Sequence, residues 1–318
     1  MDDKEFPYMA LHLRNVTIRQ LRALAAVAEC GSVTAASNRL GLTQPAVTQQ
    51  LHQLQQQVGL SVVQRTGEGM LLTDAGREVL QLSQRVEAAI KSCQQSLDMM
   101  AGRAGGSVSI GAVSTAKYIV PHAIAAFSRL HPKIDLKLSI GNRGEIRQAM
   151  HGYDLDFAVM GRPPEDVEVE AHLIGDHPHV IVAAKGHWLA KDFGLAVADL
   201  SHETFLTREQ GSGTRILMEG FFNKAEFLPH IGMEMSSNET IKQAVIAGLG
   251  IAFISAHTIA AELEDGRLVM LDVAGIPVVR QWFVVKRRDK ILLPPAQALL
   301  DFLRADGAKF LPSPPRHV

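Results

Sequence analysis

Two groups of side chains in this chain have types and spacing that suit chemistry. Thr43, Gln44, Pro45, Thr48, Gln49 and His52 recur at helical steps, and all but the proline are hydrogen-bonding and uncharged. Gln can bond adenine N6 and N7 together, and a Thr methyl can touch a thymine methyl. Arg39 and Arg65 flank this stretch with groups that suit phosphate. A solvated bundle helix more often carries Glu and Lys than a run of Gln. The second group lies in three segments: Ser114-Thr115, Asn142-Arg143 between two glycines, and 207–215. The last combines Thr207, Gly211, Ser212 and Arg215 with Arg208. Convergent N–H groups beside glycines, with hydroxyl and guanidinium donors, suit a carboxylate or phosphate. Each segment also has a purely structural reading: Ser114, Thr115 and Ser212 as helix caps, Asn142 in a turn with positive φ.

Other chemistry is less supported. Thirteen histidines invite a search for metal or acid–base sites, with His177, His179 and His187 densest. They lack matching carboxylate or cysteine spacing and read as surface or core residues. No G-x-S-x-G elbow occurs. The expectation is a protein that is not an enzyme and needs no cofactor or metal.

The elements that hold the first group are three short helices. One runs from Ile18 through Leu21 and Leu24 to Ala28 and ends at Gly31-Ser32. The next turns Val33, Ala36 and Leu40 inward and stops at a turn over 41–43. The third starts at Gln44, with Thr43 as N-cap, Pro45 in the first turn, and an apolar stripe of Val47, Leu51, Leu54 and Val58. This is the plan of a helix-turn-helix, whose second element enters a DNA major groove. Residues 60–73 read as a two-stranded wing around 67–69.

From Asp74 to Met100 the pattern is one long helix. Ala75, Val79, Leu82, Val86, Ala89, Cys93, Ser96 and Met100 alternate in steps of four and three, a coiled-coil seam. Such a helix is expected to pair with a second subunit. A glycine-rich break at 102–106 follows. Beyond it strands alternate with helices: strands at 108–112, 134–140, 155–160, 180–184, 202–207, 232–235 and 251–254, and helices at 118–130, 145–151, 214–222, 240–247, 258–263 and 295–303. Each of the three donor-rich segments follows a strand, where ligands of α/β folds bind. The end, 311–318, is Pro-rich and expected to fray.

The length of 318 residues implies at least two domains. Net charge is −1, and residues 1–73 hold six Lys/Arg against five Asp/Glu, so the few arginines must be well placed. Cys30 and Cys93 read as small buried hydrophobes. The absence of a signal peptide or an apolar run of membrane length points to the cytoplasm. Met9 is a plausible alternative start to Met1.

At AAS (35–37), LGLTQPAVTQQL (40–51), VGL (58–60), QRT (64–66) and LTDAG (72–76) the chain resembles the LysR-type transcriptional regulators. It departs where Gln49 stands, since members often carry Arg or Lys there. The resemblance implies an α+β multidomain fold: a winged helix-turn-helix over 12–73, a dimerisation helix over 74–103, and a two-lobed α/β effector domain over 106–310 like periplasmic solute-binding proteins. Subdomain I would comprise 106–175 and 280–310, and subdomain II 176–279. It also implies a dimer of dimers on double-stranded DNA, contact with RNA polymerase, and an effector in the cleft, with Thr207 and Ser114 at positions that commonly touch it. Gly141-Asn142-Arg143, TREQGSGTR at 207–215 and the stretch at 241–255 resemble the CbbR branch, which controls carbon-fixation operons. That branch implies a phosphorylated sugar or nucleotide metabolite as effector, and Arg143, Arg208 and Arg215 are consistent with that anion. The competing reading is a cytoplasmic solute-binding protein without a transcriptional role.

Overall fold

The computed structural model describes residues 13–67, 69–102 and 105–312. The expectations about Met1 and Met9, part of the glycine-rich break and most of the Pro-rich end lie outside those residues. The chain divides into two compact units, 1–94 and 95–318.

Capping chemistry sets the helices of the first unit. Helix α1 (Ile18–Cys30) begins with a capping box between Thr17 and Gln20 and ends at Gly31, φ +67°. Helix α2 (Val33–Leu40) is capped by Ser32, and α3 (Gln44–Val58) by Thr43, with Pro45 in its first turn. The stripe of Val47, Leu51, Leu54 and Val58 is buried as its spacing predicts. On α1 the buried face is Leu21, Ala23, Leu24, Ala26 and Val27; Ile18, expected inward, is exposed. Strands β1 (Val63–Thr66) and β2 (Gly69–Leu72) pair antiparallel as the wing.

Helix α4 runs Asp74–Met100, roughly 40 Å at 1.5 Å per residue. Its start belongs to the winged core: Gly76, Val79 and Ser83 are buried, and Val86 packs against the same cluster. This corrects the expected seam, whose first half is covered by its own domain. The exposed apolar stripe is Ile90, Cys93, Leu97 and Met100. Cys93 is therefore not a buried hydrophobe within one chain. A Cβ on Gly76 would lie 1.9 Å from the Val62 carbonyl oxygen, so the LTDAG glycine permits helix and wing to touch. Gly76→Ala should destabilise this domain by about 1–3 kcal/mol. A denaturant midpoint equal to wild type would show that the backbone yields instead.

The second unit is built on strands. In chain order these elements are β3 (Ser107–Val113), α5 (Val120–Leu130), β4 (Asp135–Gly141), α6 (Arg143–His151), β5 (Phe157–Met160), β6 (Val169–Ala184), β7 (Thr204–Arg208) and α7 (Gly213–Lys224). Then come β8 (His230–Met235), α8 (Asn238–Ile246), β9 (Ala252–Ser255), α9 (Ala260–Glu264), β10 (Leu268–Met270), β11 (Val278–Arg287) and α10 (Pro294–Asp306). The first lobe sets parallel β4, β3 and β5 beside β11. Val108, Ile110, Phe127, Trp282 and Leu299 pack on one face of it, and Ile146, Met150 and Met160 on the other. In the second lobe β6 pairs with β9 and β10, and β7 pairs with β8. Phe205, Phe222 and Phe253 form one of its cores, Leu206, Ile241 and Val245 another.

Strands β6 and β11 pair antiparallel from Val169–Arg287 to His179–Val278 and run through both lobes. The expected strand at 180–184 is only the last part of β6, and β11 was not anticipated. Among the described residues no helix is long and apolar enough to cross a membrane.

Candidate functional site

On α3, Gln44, Pro45, Thr48, Gln49 and His52 are exposed along one face, as their spacing predicts. Thr43 is occupied as the cap, its hydroxyl accepting from the Ala46 N–H at 3.4 Å. His52 is steadied by Gln56, 3.1 Å from its Nε2. Arg65 is exposed on β1. Arg39 is exposed but ion-paired with Glu29, so a phosphate there must compete with a carboxylate. Arg22 forms a forked pair with Glu87 on α4, its Nε at 2.6 Å, and serves packing. The uncharged Gln and Thr positions thus carry most of what this face offers to base edges.

The second unit contains a cavity of about 200 Å³ between its lobes. A space of that size suits a small metabolite. Five of the eight expected ligand residues line it: Ser114, Thr115, Asn142, Arg143 and Ser212. Asn142 also caps α6, accepting from the Glu145 N–H at 2.9 Å with φ −73°, so it is a cap and not a left-handed turn.

Three expected residues do not line it. Thr207 is 2% exposed, and its hydroxyl turns back toward the Arg208 carbonyl and the Met218 sulfur. Both faces of β7 are covered here, Leu206 and Arg208 being as buried as Thr207. Gly211, φ +82°, shapes the turn before α7 and does not face the cavity. Arg215 points away: its Nε meets Glu219 at 2.7 Å, its Nη1 meets the Arg208 carbonyl at 3.1 Å, and it also pairs with Glu234. Two carboxylates raise its pKa and leave it little capacity for a ligand.

Arg162, His177, His179 and Arg280 also line the cavity and were missed. Arg208 lines it too, bound to Glu209 through Nε at 2.7 Å and to Asn238 at 2.8 Å. From the second lobe its Nη2 reaches Ser114 of the first at 3.3 Å. Burial and the neighbouring Arg162 lower the pKa of Arg143. Among the described residues four arginines and one carboxylate, Glu165, line the cavity; even with Glu209 on Arg208 the balance is positive and suits an anion. His177 and His179 are buried, and both pKa values are lowered by burial, that of His179 to about 3. The two histidines stood out in the sequence, alternating on one strand face, but without carboxylate or cysteine spacing they read as surface or core residues.

Known proteins share both units. The profile described as a bacterial regulatory helix-turn-helix protein of the lysR family matches residues 18–77, and the LysR substrate binding domain matches 101–308. The HTH-type transcriptional regulator CbbR of Xanthobacter flavus is 50% identical over 301 residues, covering 94% of this chain and 90% of that protein. CbbR of Rhizobium meliloti (strain 1021) is 46% identical, covering 94% and 96%. The Synechocystis PCC6803 CcmR regulatory domain, solved in complex with 2-PG, is 32% identical with a TM-score of 0.61, covering 63% of this chain and 96% of its own. CbnR, a LysR family transcriptional regulator, shares the fold at 20% identity and a TM-score of 0.62, covering 92% and 99%.

Proposed function

The chain belongs to the LysR family of bacterial transcriptional regulators, and from that premise we propose that it governs carbon-fixation genes in response to a small phosphorylated anion. It is a DNA-binding regulator and not an enzyme. The observation that carries the effector reading is the arginine-rich cavity between the lobes. Relatives named for the RuBisCO operon and for CbbR, together with a 2-PG complex of a related domain, support the pathway and the ligand class. In this reading Ser114, Thr115, Asn142, Arg143 and Ser212 contact the ligand, which competes with Ser114 for Arg208. Differential affinity for the two lobe arrangements then limits how far it shifts the regulator on DNA. The working form is a cytoplasmic dimer of dimers that meets RNA polymerase at the promoter.

Footprinting upstream of a carbon-fixation operon, with and without 2-PG, tests this directly. The expected result is a protected site whose length changes with ligand. Ser114→Ala should raise the 2-PG concentration needed for that change by about tenfold, the worth of one hydrogen bond to a charged group. An identical response in wild type and mutant would exclude Ser114 as a contact.

Gln49→Ala should relax base preference at one operator position, a cost of about 1–3 kcal/mol. Selection from randomised duplexes measures it. If the mutant enriches the same site as wild type with equal stringency, this face is not the reader.

A further inference from the structure

The cavity floor is made by the two strands that join the lobes, and its side chains have unused capacity. Arg280 on β11 stands opposite His177 on β6 in the antiparallel register. Directly opposed residues share a sheet face, and both line the cavity. The three other arginines there are engaged. Arg143 donates to the carbonyls of Arg162 and Pro163, Arg162 pairs with Glu165, and Arg208 is forked on Glu209. The guanidinium of Arg280 makes no hydrogen bond or ion pair to any described residue.

His177 is fixed and unsatisfied at once. The residue is 4% exposed, and its ring stacks on Trp282 with centroids 3.8 Å apart. Its Nε2 lies 2.8 Å from the hydroxyl of Ser255, which is fully buried and has no other partner among the described residues. A serine hydrogen on Nε2 leaves fewer groups unpaired than the reverse, which would strand both the hydroxyl hydrogen and Nδ1, and it puts the ring's own hydrogen on Nδ1. Burial keeps the ring neutral, so Nδ1–H is its one donor. No described residue accepts it. A buried donor without an acceptor is costly and calls for an explanation. Gly161, also on the cavity wall, leaves the approach open: a Cβ there would lie 3.1 Å from Nδ1.

We propose that His177 and Arg280 together form the subsite for the effector's oxyanion, Arg280 neutralising its charge and His177 donating Nδ1–H to one of its oxygens. The charged end of the ligand then sits on the strands that join the lobes, not at the 207–215 loop. This rests on the reading of the cavity as the effector site.

Calorimetric titration of the full-length protein with 2-PG, and separately with inorganic phosphate, tests it. Arg280→Gln should weaken 2-PG binding by about thirtyfold or more, and Arg280→Lys should recover part of the loss. His177→Gln keeps an amide that can reach Ser255 but removes the donor at Nδ1. It should weaken binding by about tenfold with an unliganded melting temperature near wild type. Gly161→Ala should do the same by covering Nδ1. Because both residues grip one group, the double mutant should lose less than the product of the single losses. Wild-type affinity in Arg280→Gln and His177→Gln, with wild type still binding 2-PG, would overturn the subsite and leave the effector cavity standing. Loss of binding in Arg215→Gln but not Arg280→Gln would place the anion at the loop instead. If wild type binds neither probe, the cavity's reading as an oxyanion site falls, and the subsite with it.

Discussion

Replacing Ile90 and Leu97 with glutamate should convert the protein to monomers and cut DNA affinity by about a hundredfold or more. Both lie on α4 beyond the part covered by the winged core, and they are 39% and 51% exposed. With Cys93 and Met100 they make an apolar stripe at spacings of three and four, which a second copy of the helix would cover. Glutamates there would bury unpaired charges in any such pair. Two linked DNA-binding units gain avidity of about 10²–10⁴ over one, and that is what dissociation removes. Sedimentation velocity and operator binding on the same samples report both halves. A wild-type protein that sediments as a monomer at micromolar concentration would end the seam argument. Substitution of Leu82 and Val86, the choice suggested by the heptad pattern alone, would mix this effect with unfolding, since Val86 packs into the winged core.

Acidification should unfold the ligand-binding unit well before its carboxylates titrate. His177, His179 and His257 are buried around Trp282, whose Nε1 donates to His257 Nδ1 at 3.1 Å. Burial holds His177 well below its usual range, His179 at about 3 and His257 at about 4. In the unfolded chain each returns to about 6.5. The unfolded state therefore binds more protons below that pH, and stability falls with pH. The stability is complete above about pH 6.5 and is lost at about 1.4 kcal/mol per pH unit per histidine. The loss levels off near pH 4 for His257 and near pH 3 for His179. Between pH 6.5 and 5 these groups together remove several kcal/mol from a total stability of about 5–15. Urea titrations followed by tryptophan fluorescence at pH 7.5, 6 and 5 measure the slope, and His179→Leu should flatten it by about one proton. A midpoint independent of pH over that range would contradict the buried, neutral state of the cluster.

How far the sequence reached depends on what each pattern encodes. The inward stripe and outward face of α3 follow from a 3.6-residue period, and both stand where the spacing put them. The α4 pattern gave a helix over the observed span but not its partner. An apolar residue looks alike whether its own domain or another chain covers it, so Val79 and Ile90 were indistinguishable. At the cavity, the loops after β3 and β4 were found because turns display donors openly. Thr207 and Arg215 were expected at the ligand and turn away from the cavity, because composition does not say which way a side chain turns. Arg280 went unremarked and His177 read as a surface or core residue because their neighbourhood arises from pairing across about a hundred residues of chain. Polar residues inside β6 and β11 also broke the apolar runs that mark buried strands.

The long β6–β11 pairing has a consequence for how such proteins are rebuilt. The chain leaves the first lobe along one strand and returns along its direct neighbour, so 178–279 is in effect a cassette inserted at a single rung of the ladder. Its two ends lie a strand spacing apart, about 4.8 Å. Two cuts therefore suffice to exchange that half between related regulators while the DNA-reading end and the helix seam stay as they are. Recombining at the His177–Arg280 rung keeps that pair from one parent. A graft made two rungs further into the first lobe would bring the donor's pair with it.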